Sequence, residues 1–137
     1  MAIVKWSALG TRSSNFASTV FNSLANGSES ATVTYDNSTN RDLSCLITLK
    51  LGSITPSTGG SVTLRITLSD GTDVSDPGVN GELYLIALRS GTNAKTNITP
   101  LRIYGCSLRI SLINNAGVAL AASGNEIYVT PFNEDIV

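Results

Sequence analysis

The sequence contains no histidine, and this absence removes a large group of catalytic designs. Serine and cysteine nucleophiles activated by histidine, histidine general bases and histidine metal ligands all need the imidazole ring. The acidic residues are scattered along the chain and most lie in or beside predicted turns, where solvation accounts for them. We therefore expect no catalytic residues, no cofactor and no enzymatic activity.

Charged residues are also scarce. They make up 14% of the chain, whereas about 25% is usual for a globular domain. The net charge is -1 and there is no run of lysine or arginine, so the positive surface that nucleic acid or an anionic membrane requires is missing. We expect neither as a partner. A nearly neutral protein repels its own copies little, which is compatible with assembly.

Long apolar runs are absent as well. No stretch approaches the ~20 consecutive apolar residues of a membrane-spanning helix. The first ten residues, MAIVKWSALG, lack the apolar run of about 7 to 15 residues that a secretory signal carries. These absences predict that the chain is made in a cytoplasm.

Only two cysteines are present, Cys45 and Cys106, which is too few for a disulfide framework or a zinc site. Each lies in an alternating apolar run, and free cysteine is among the most buried residue types. We expect two reduced core thiols and no bridge between them.

One cluster of carboxylates could form a metal site. Asp70, Asp73 and Asp76 lie within one polar segment, and three carboxylates in a loop can surround Ca²⁺. Their spacing does not match the EF-hand loop, and Asp70-Gly71 is typical of a tight turn. We therefore expect a structural turn and no metal site.

What the chain does contain is alternation of apolar and polar residues. The clearest case runs from Gly59 to Asp76, where the apolar positions are Val62, Leu64, Ile66 and Leu68. A period of two is typical of a β-strand with one face on a core and the other in water. Similar segments recur between turn signals spaced about 8 to 12 residues apart, which predicts about eight strands.

The length of 137 residues is typical of one domain. We predict a single domain over residues 1–137, all-β, forming an antiparallel β-sandwich of jelly-roll type with at most one short N-terminal helix. That helix would run from Phe16 to Leu24, where an irregular loop is the alternative. The segment from Leu83 to Leu88 is apolar on both faces, which predicts a central or doubly covered strand. Pro100 predicts that residues 95–104 form an edge strand or two short pieces.

Several segments together resemble a known family. They are SLANG (residues 23–27), TYDNSTNRDL (34–43), TPSTGGSVTLRI (55–66), SDGTDVSD (69–76) and SLRISLINNAGVALAASGNEIYVTPFN (107–133). They are similar to small jelly-roll virion proteins of tailed bacteriophages that decorate or cement the capsid. The resemblance implies an eight-stranded jelly roll, no enzymatic activity, homotrimers at three-fold or quasi-three-fold positions, the major capsid protein as partner, and a place on the virion surface after synthesis in the host cytoplasm.

The two ends of the chain, residues 1–14 and 131–137, are candidate extended arms. Their apolar side chains lie in segments too short to cover themselves; the residues that we predict as partner contacts are Ile3, Val4, Trp6, Phe132, Ile136 and Val137. The alternative is that both ends fold back onto their own sandwich. The leading hypothesis is thus a capsid decoration protein that bridges neighbouring subunits. The second hypothesis, a carbohydrate- or receptor-binding sandwich of a phage spike or fibre, requires an exposed aromatic platform beside polar side chains.

Overall fold

The computed structural model describes residues 4–15, 19–69, 82–96, 101–103 and 106–136. Within these ranges the chain forms strands and no helix: β1 Val4–Trp6, β2 Val33–Tyr35, β3 Ser44–Ile54, β4 Ser61–Ser69, β5 Glu82–Ala87, β6 Gly91–Thr96, β7 Leu101–Arg102, β8 Ser107–Asn115, β9 Glu126–Phe132 and β10 Glu134–Ile136. The prediction of an all-β fold is confirmed. The candidate helix of residues 16–24 is described from residue 19 onward, and residues 19–23 form turns.

Eight strands build two four-stranded sheets in which every pairing is antiparallel. The first sheet has the order β2-β8-β4-β5. In the second sheet, β9 pairs with one edge of β3, while β6 and β7 pair with successive parts of its other edge. The two sheets form the predicted antiparallel β-sandwich. The remaining strands, β1 and β10, pair with each other.

The alternation of residue types decides which faces of the sheets meet. Along β4, Val62, Leu64 and Ile66 are at most 4% exposed, whereas the polar residues between them are only half-buried. β3 repeats the pattern through Cys45, Ile47, Leu49 and Leu51. These side chains, with those of β8 and β9, make one hydrophobic cluster between the sheets. Removing this apolar surface from water is the main favourable contribution to folding.

For residues 95–104 the sequence predicted either an edge strand or two short pieces. The second alternative is confirmed, because β6 and β7 are separate strands on the same edge of β3. The corner between β5 and β6 is short, since β5 ends at Ala87 and β6 begins at Gly91. The side chain of Asn93 completes this corner by bonding to both the N–H and the carbonyl of Arg89, at 3.0 and 2.9 Å.

Buried asparagines fasten the loops to the sandwich. Asn37 lies in the polar connection between β2 and β3, yet it is only 1% exposed. Its amide donates to the carbonyls of Asp42 and Cys106, and its oxygen accepts from the Asp42 N–H. Asn125 links three elements in the same way, accepting from Gly52 and donating to Asn22 and the carbonyl of residue 121. Buried amides of this kind are tolerated because their hydrogen bonds are made.

Candidate interaction surfaces

The most exposed large apolar side chains of the sandwich lie on β5. Leu83 is 60% exposed and Leu85 is 73% exposed. The prediction of a central or doubly covered strand is therefore wrong, because β5 pairs only with β4 among the described strands and has one apolar face in solvent. Its other face, with Tyr84 and Ile86, packs against the core cluster.

The outer backbone edge of β5 carries hydrogen-bonding groups that no described strand pairs. The Leu88 N–H donates to the carbonyl of Gly60 at 3.0 Å, and Ile86 lies opposite Val62 in the same register. Because backbone groups alternate sides along an antiparallel strand, the even-numbered residues face β4. The N–H and carbonyl groups of Leu83, Leu85 and Ala87 therefore point away from the sheet. We call these three residues the β5 edge.

Polar groups border the exposed leucines on the same face of the sheet. Arg65, which lies opposite Leu83 on β4, places its guanidinium 3.3 Å from a carboxylate oxygen of Glu29. The same oxygen accepts a hydrogen bond of 2.6 Å from the Ser111 hydroxyl. The apolar part of this face is therefore confined to the strip along β5.

A cavity of about 90 Å³ lies beside β5, between the two sheets. Tyr84 and Ile86 of β5 line it together with Ile47, Lys95 and Leu101 from the other sheet. This contact places β5 next to β6 and β7. Since β9 pairs with the opposite edge of β3, the β5 edge and β9 lie on opposite lateral sides of the sandwich.

On the β9 side, residues 7–15 run antiparallel along the free edge of that strand; we call them the N-terminal arm. Three N–H groups of the arm donate to carbonyls of residues 133, 131 and 129 at 2.7–2.8 Å, the donors being Ser7, Gly10 and Ser13. The donors are three residues apart and the acceptors two, so the arm does not form a regular ladder.

Side chains supply the acceptors that this irregular pairing lacks. The hydroxyl oxygens of Ser7 and Ser13 accept from the N–H groups of residues 133 and 129, at 2.8 and 2.9 Å. The amide oxygen of Asn15 accepts from residue 127 at 3.1 Å. The arm therefore satisfies both the donors and the acceptors along an edge that would otherwise be open to another chain.

Gly10 lies where the arm passes Pro131 and has no side-chain acceptor. None is required, because proline lacks a backbone N–H. A Cβ on Gly10 would come within 2.8 Å of the Pro131 carbonyl oxygen, so this close approach requires glycine. Pro131 lies opposite Cys45, and β9 continues through it to Phe132. The missing donor faces the arm, so no bond to β3 is lost.

Beyond the arm, the two ends of the chain pair as a short ribbon formed by β1 and β10. Val4 lies opposite Ile136, and Trp6 lies opposite Glu134. The structure thus brings together three of the predicted contact residues. Ile3 and Val137 lie outside the described residues. Phe132 ends β9 and is only 6% exposed, so its side chain is covered by this chain itself.

On the outer face of the second sheet, the side chains of four polar residues contact one another in a chain. The Arg12 guanidinium lies 3.9 Å from the centroid of the Tyr128 ring, and the Tyr128 hydroxyl donates to Glu126 at 2.6 Å. Lys50 lies 3.1 Å from the same carboxylate. The hydroxyl and the ammonium lower the pKa of Glu126, whereas the bond to Glu126 raises the pKa of Tyr128. Tyr128 is half-buried, and Arg12 covers one face of its ring.

The two cysteines are free. Cys45 is fully buried, as predicted, and burial raises the pKa of its thiol to about 12. Cys106 is only half-buried, so the prediction of a core thiol holds for Cys45 alone. The Asp70, Asp73 and Asp76 segment lies outside the described residues. Within the described ranges, no cluster of three potential metal ligands is found.

The sequence predicted an arm within residues 1–14 but not its pairing with β9, and it did not indicate the β5 edge; the reasons differ. Leucines alternate with other apolar residues along β5, so their spacing does not indicate which face is covered. The arm bonds through serine and asparagine side chains in a segment without periodicity. Its usable signal was the spacing of Ser7, Gly10 and Ser13.

Comparison with known proteins found no matching family model and no similar curated protein. Among the described residues there is no helix long and apolar enough to cross a membrane.

Proposed function

We propose that this protein is a non-enzymatic virion structural protein that decorates the capsid of a tailed bacteriophage, binds the major capsid protein and stabilises the shell by bridging neighbouring subunits. The proposal rests on the family resemblance together with the all-β sandwich. In this proposal the sandwich is a jelly roll, the protein acts as a homotrimer on the capsid surface, and it is made in the host cytoplasm.

The observation that carries the proposal is the ribbon of β1 and β10. Segments near both ends of the chain, each with apolar residues, meet in one two-stranded element that pairs with no described strand of either sheet. Val4, Trp6 and Ile136 are the residues through which this ribbon would contact the capsid protein. A cement protein needs added contact area at a seam between subunits, and a ribbon supplies such area without any chemistry.

The sandwich beneath the ribbon suits a mechanical role. The N-terminal arm is held to β9 by backbone and side-chain hydrogen bonds along most of its length. A load on the ribbon would therefore pass into β9 and then β3, which pair over seven residues. A force along β9 would act on all the backbone hydrogen bonds between β9 and β3 at once, so these bonds would resist it together.

The direct test mixes the purified protein with undecorated capsids and measures co-sedimentation and the temperature of capsid disruption. We expect binding and a higher disruption temperature. A variant lacking residues 1–6 should lose both effects, whereas Thr92→Ala, a change at an exposed position of β6, should retain them. Failure of the unmodified protein to bind, or binding without any gain in heat resistance, would refute the proposal.

The second candidate function is carbohydrate or receptor binding by a phage spike or fibre. The observation that favours it is Tyr128 among Arg12, Glu126 and Lys50 on a polar sheet face. Because Arg12 already stacks on the ring, a sugar would have to displace it or bind at its side. A glycan array decides: binding that Tyr128→Ala abolishes would support this function, and a silent array would weaken it.

A further inference from the structure

The β5 edge combines two features that seldom occur together in an isolated soluble protein. Its outward-facing backbone donors and acceptors are paired by no described strand, and it carries leucines that are 60% and 73% exposed. Natural edge strands are usually protected by charges, prolines, bulges or short length. From Leu83 to Leu88 there is no charged residue and no proline. This edge is therefore open to a further β-strand.

We propose that the β5 edge binds the β5 edge of a second copy of this chain, in antiparallel pairing about a two-fold axis, so that two sandwiches share one continuous sheet. The proposal is independent of the capsid role, which uses the ribbon. If the basic unit is a trimer, this contact joins trimers in pairs.

The geometry of the strand suits pairing with itself. The outward-facing residues are Leu83, Leu85 and Ala87, and a two-fold axis through the midpoint places Leu85 opposite Leu85 and Leu83 opposite Ala87. Three such pairs, with two backbone hydrogen bonds each, provide about six bonds between the copies. The same register puts the exposed leucines of both copies side by side on one face, where cross-strand apolar pairs are stabilising.

Charge does not oppose the contact, because the net charge of -1 adds little repulsion between copies. A second copy is therefore complementary to this edge in hydrogen bonding and apolar contact.

The contact is small, which sets its expected strength. One strand pairing buries less than the 1,200–2,000 Å², roughly, of a stable interface. We therefore expect reversible association that depends on concentration. Sedimentation velocity of the full chain over a wide concentration range should show the mass of the basic unit doubling.

The decisive variant is Leu85→Lys, because it places like charges directly opposite each other at the two-fold axis. The position is 73% exposed, so the fold should persist, as circular dichroism will verify. We expect self-association at least tenfold weaker. Leu9→Lys is the matched control, since Leu9 is also 60% exposed but lies in the N-terminal arm; it should associate like the unmodified protein.

A charge-pairing experiment tests the register. Leu85→Lys and Leu85→Glu should each associate weakly alone, and an equimolar mixture should recover the association because opposite charges then meet at the axis. No increase of mass with concentration, equal weakening by Leu9→Lys, or no recovery in the mixture would each overturn the proposal. So would a Leu85→Lys variant that keeps its self-association but loses capsid binding, since the edge would then serve the capsid protein.

Discussion

Asn114 and Asn115 are adjacent in β8, and the structure predicts that replacing the first lowers the stability of the protein much more than replacing the second. Asn114 is fully buried; its amide donates to the carbonyls of Leu24 and Val118 at 2.8 Å each, and its oxygen accepts from the Ala116 N–H at 2.9 Å. Asn115 is exposed. Asn114→Ala would remove all three of these hydrogen bonds and leave the buried Ala116 N–H without its acceptor, while the Leu24 carbonyl would keep its bond from the Leu120 N–H. At about 1 kcal/mol for each hydrogen bond, unfolding would become easier by about 3 kcal/mol.

Equilibrium unfolding in urea measures this difference. For Asn114→Ala we expect a lower midpoint with an unchanged slope, and a melting temperature lower by about 10 °C for a domain of this size. Asn115→Ala is the control and should stay within about 0.5 kcal/mol of the unmodified protein. A loss below about 1 kcal/mol for Asn114→Ala, or equal losses for both variants, would refute the argument that this side chain fastens the loop of residues 24–28 to the sandwich.

Three further predictions concern the arm, the core and the polar face. Gly10→Ala should release the arm, because its Cβ would meet a backbone oxygen at 2.8 Å; faster amide exchange along β9, absent in a Leu9→Ala control, would show this. Since burial raises the pKa of Cys45 to about 12, its thiol should resist alkylation at pH 8 until the protein unfolds, and the stability that its protonated form contributes should be lost as the pH rises above about 9; fast native labelling at this position would contradict both. Tyr128→Phe should raise the pKa of Glu126, because the hydrogen bond that lowers it is removed; an unchanged carboxyl titration by NMR would disprove that cause.

The parts of the fold that follow from local pattern could be predicted. β4 shows this best: its strict alternation indicated the strand and the burial of Val62, Leu64 and Ile66. The alternation fails only at the end of the strand, where Leu68 is half-buried and Thr67 is buried. Alternation is a property of neighbouring residues, and a pleated strand converts it directly into two faces. The free state of both cysteines also agrees with the sequence interpretation.

The parts that depend on distant partners could not be predicted. β5 is apolar on both faces, and only the packing of the two sheets decides that Tyr84 and Ile86 are covered while Leu83 and Leu85 are exposed. Pro131 fits inside β9 because its missing N–H faces the N-terminal arm, which comes from the other end of the chain. The partner contacts proposed for Val4, Trp6 and Ile136 remain predictions; what the structure adds is that β1 and β10 bring them into one ribbon.

The sequence by itself determined that this protein is built of strands with one apolar face, because a two-residue period needs no information beyond the next residue. The tertiary structure decided which of two apolar faces is covered, which of two adjacent asparagines is buried, and which edge of each sheet is closed. Those outcomes depend on residues about 90 to 130 positions away along the chain, and such pairings are selected by the packing of the whole sandwich.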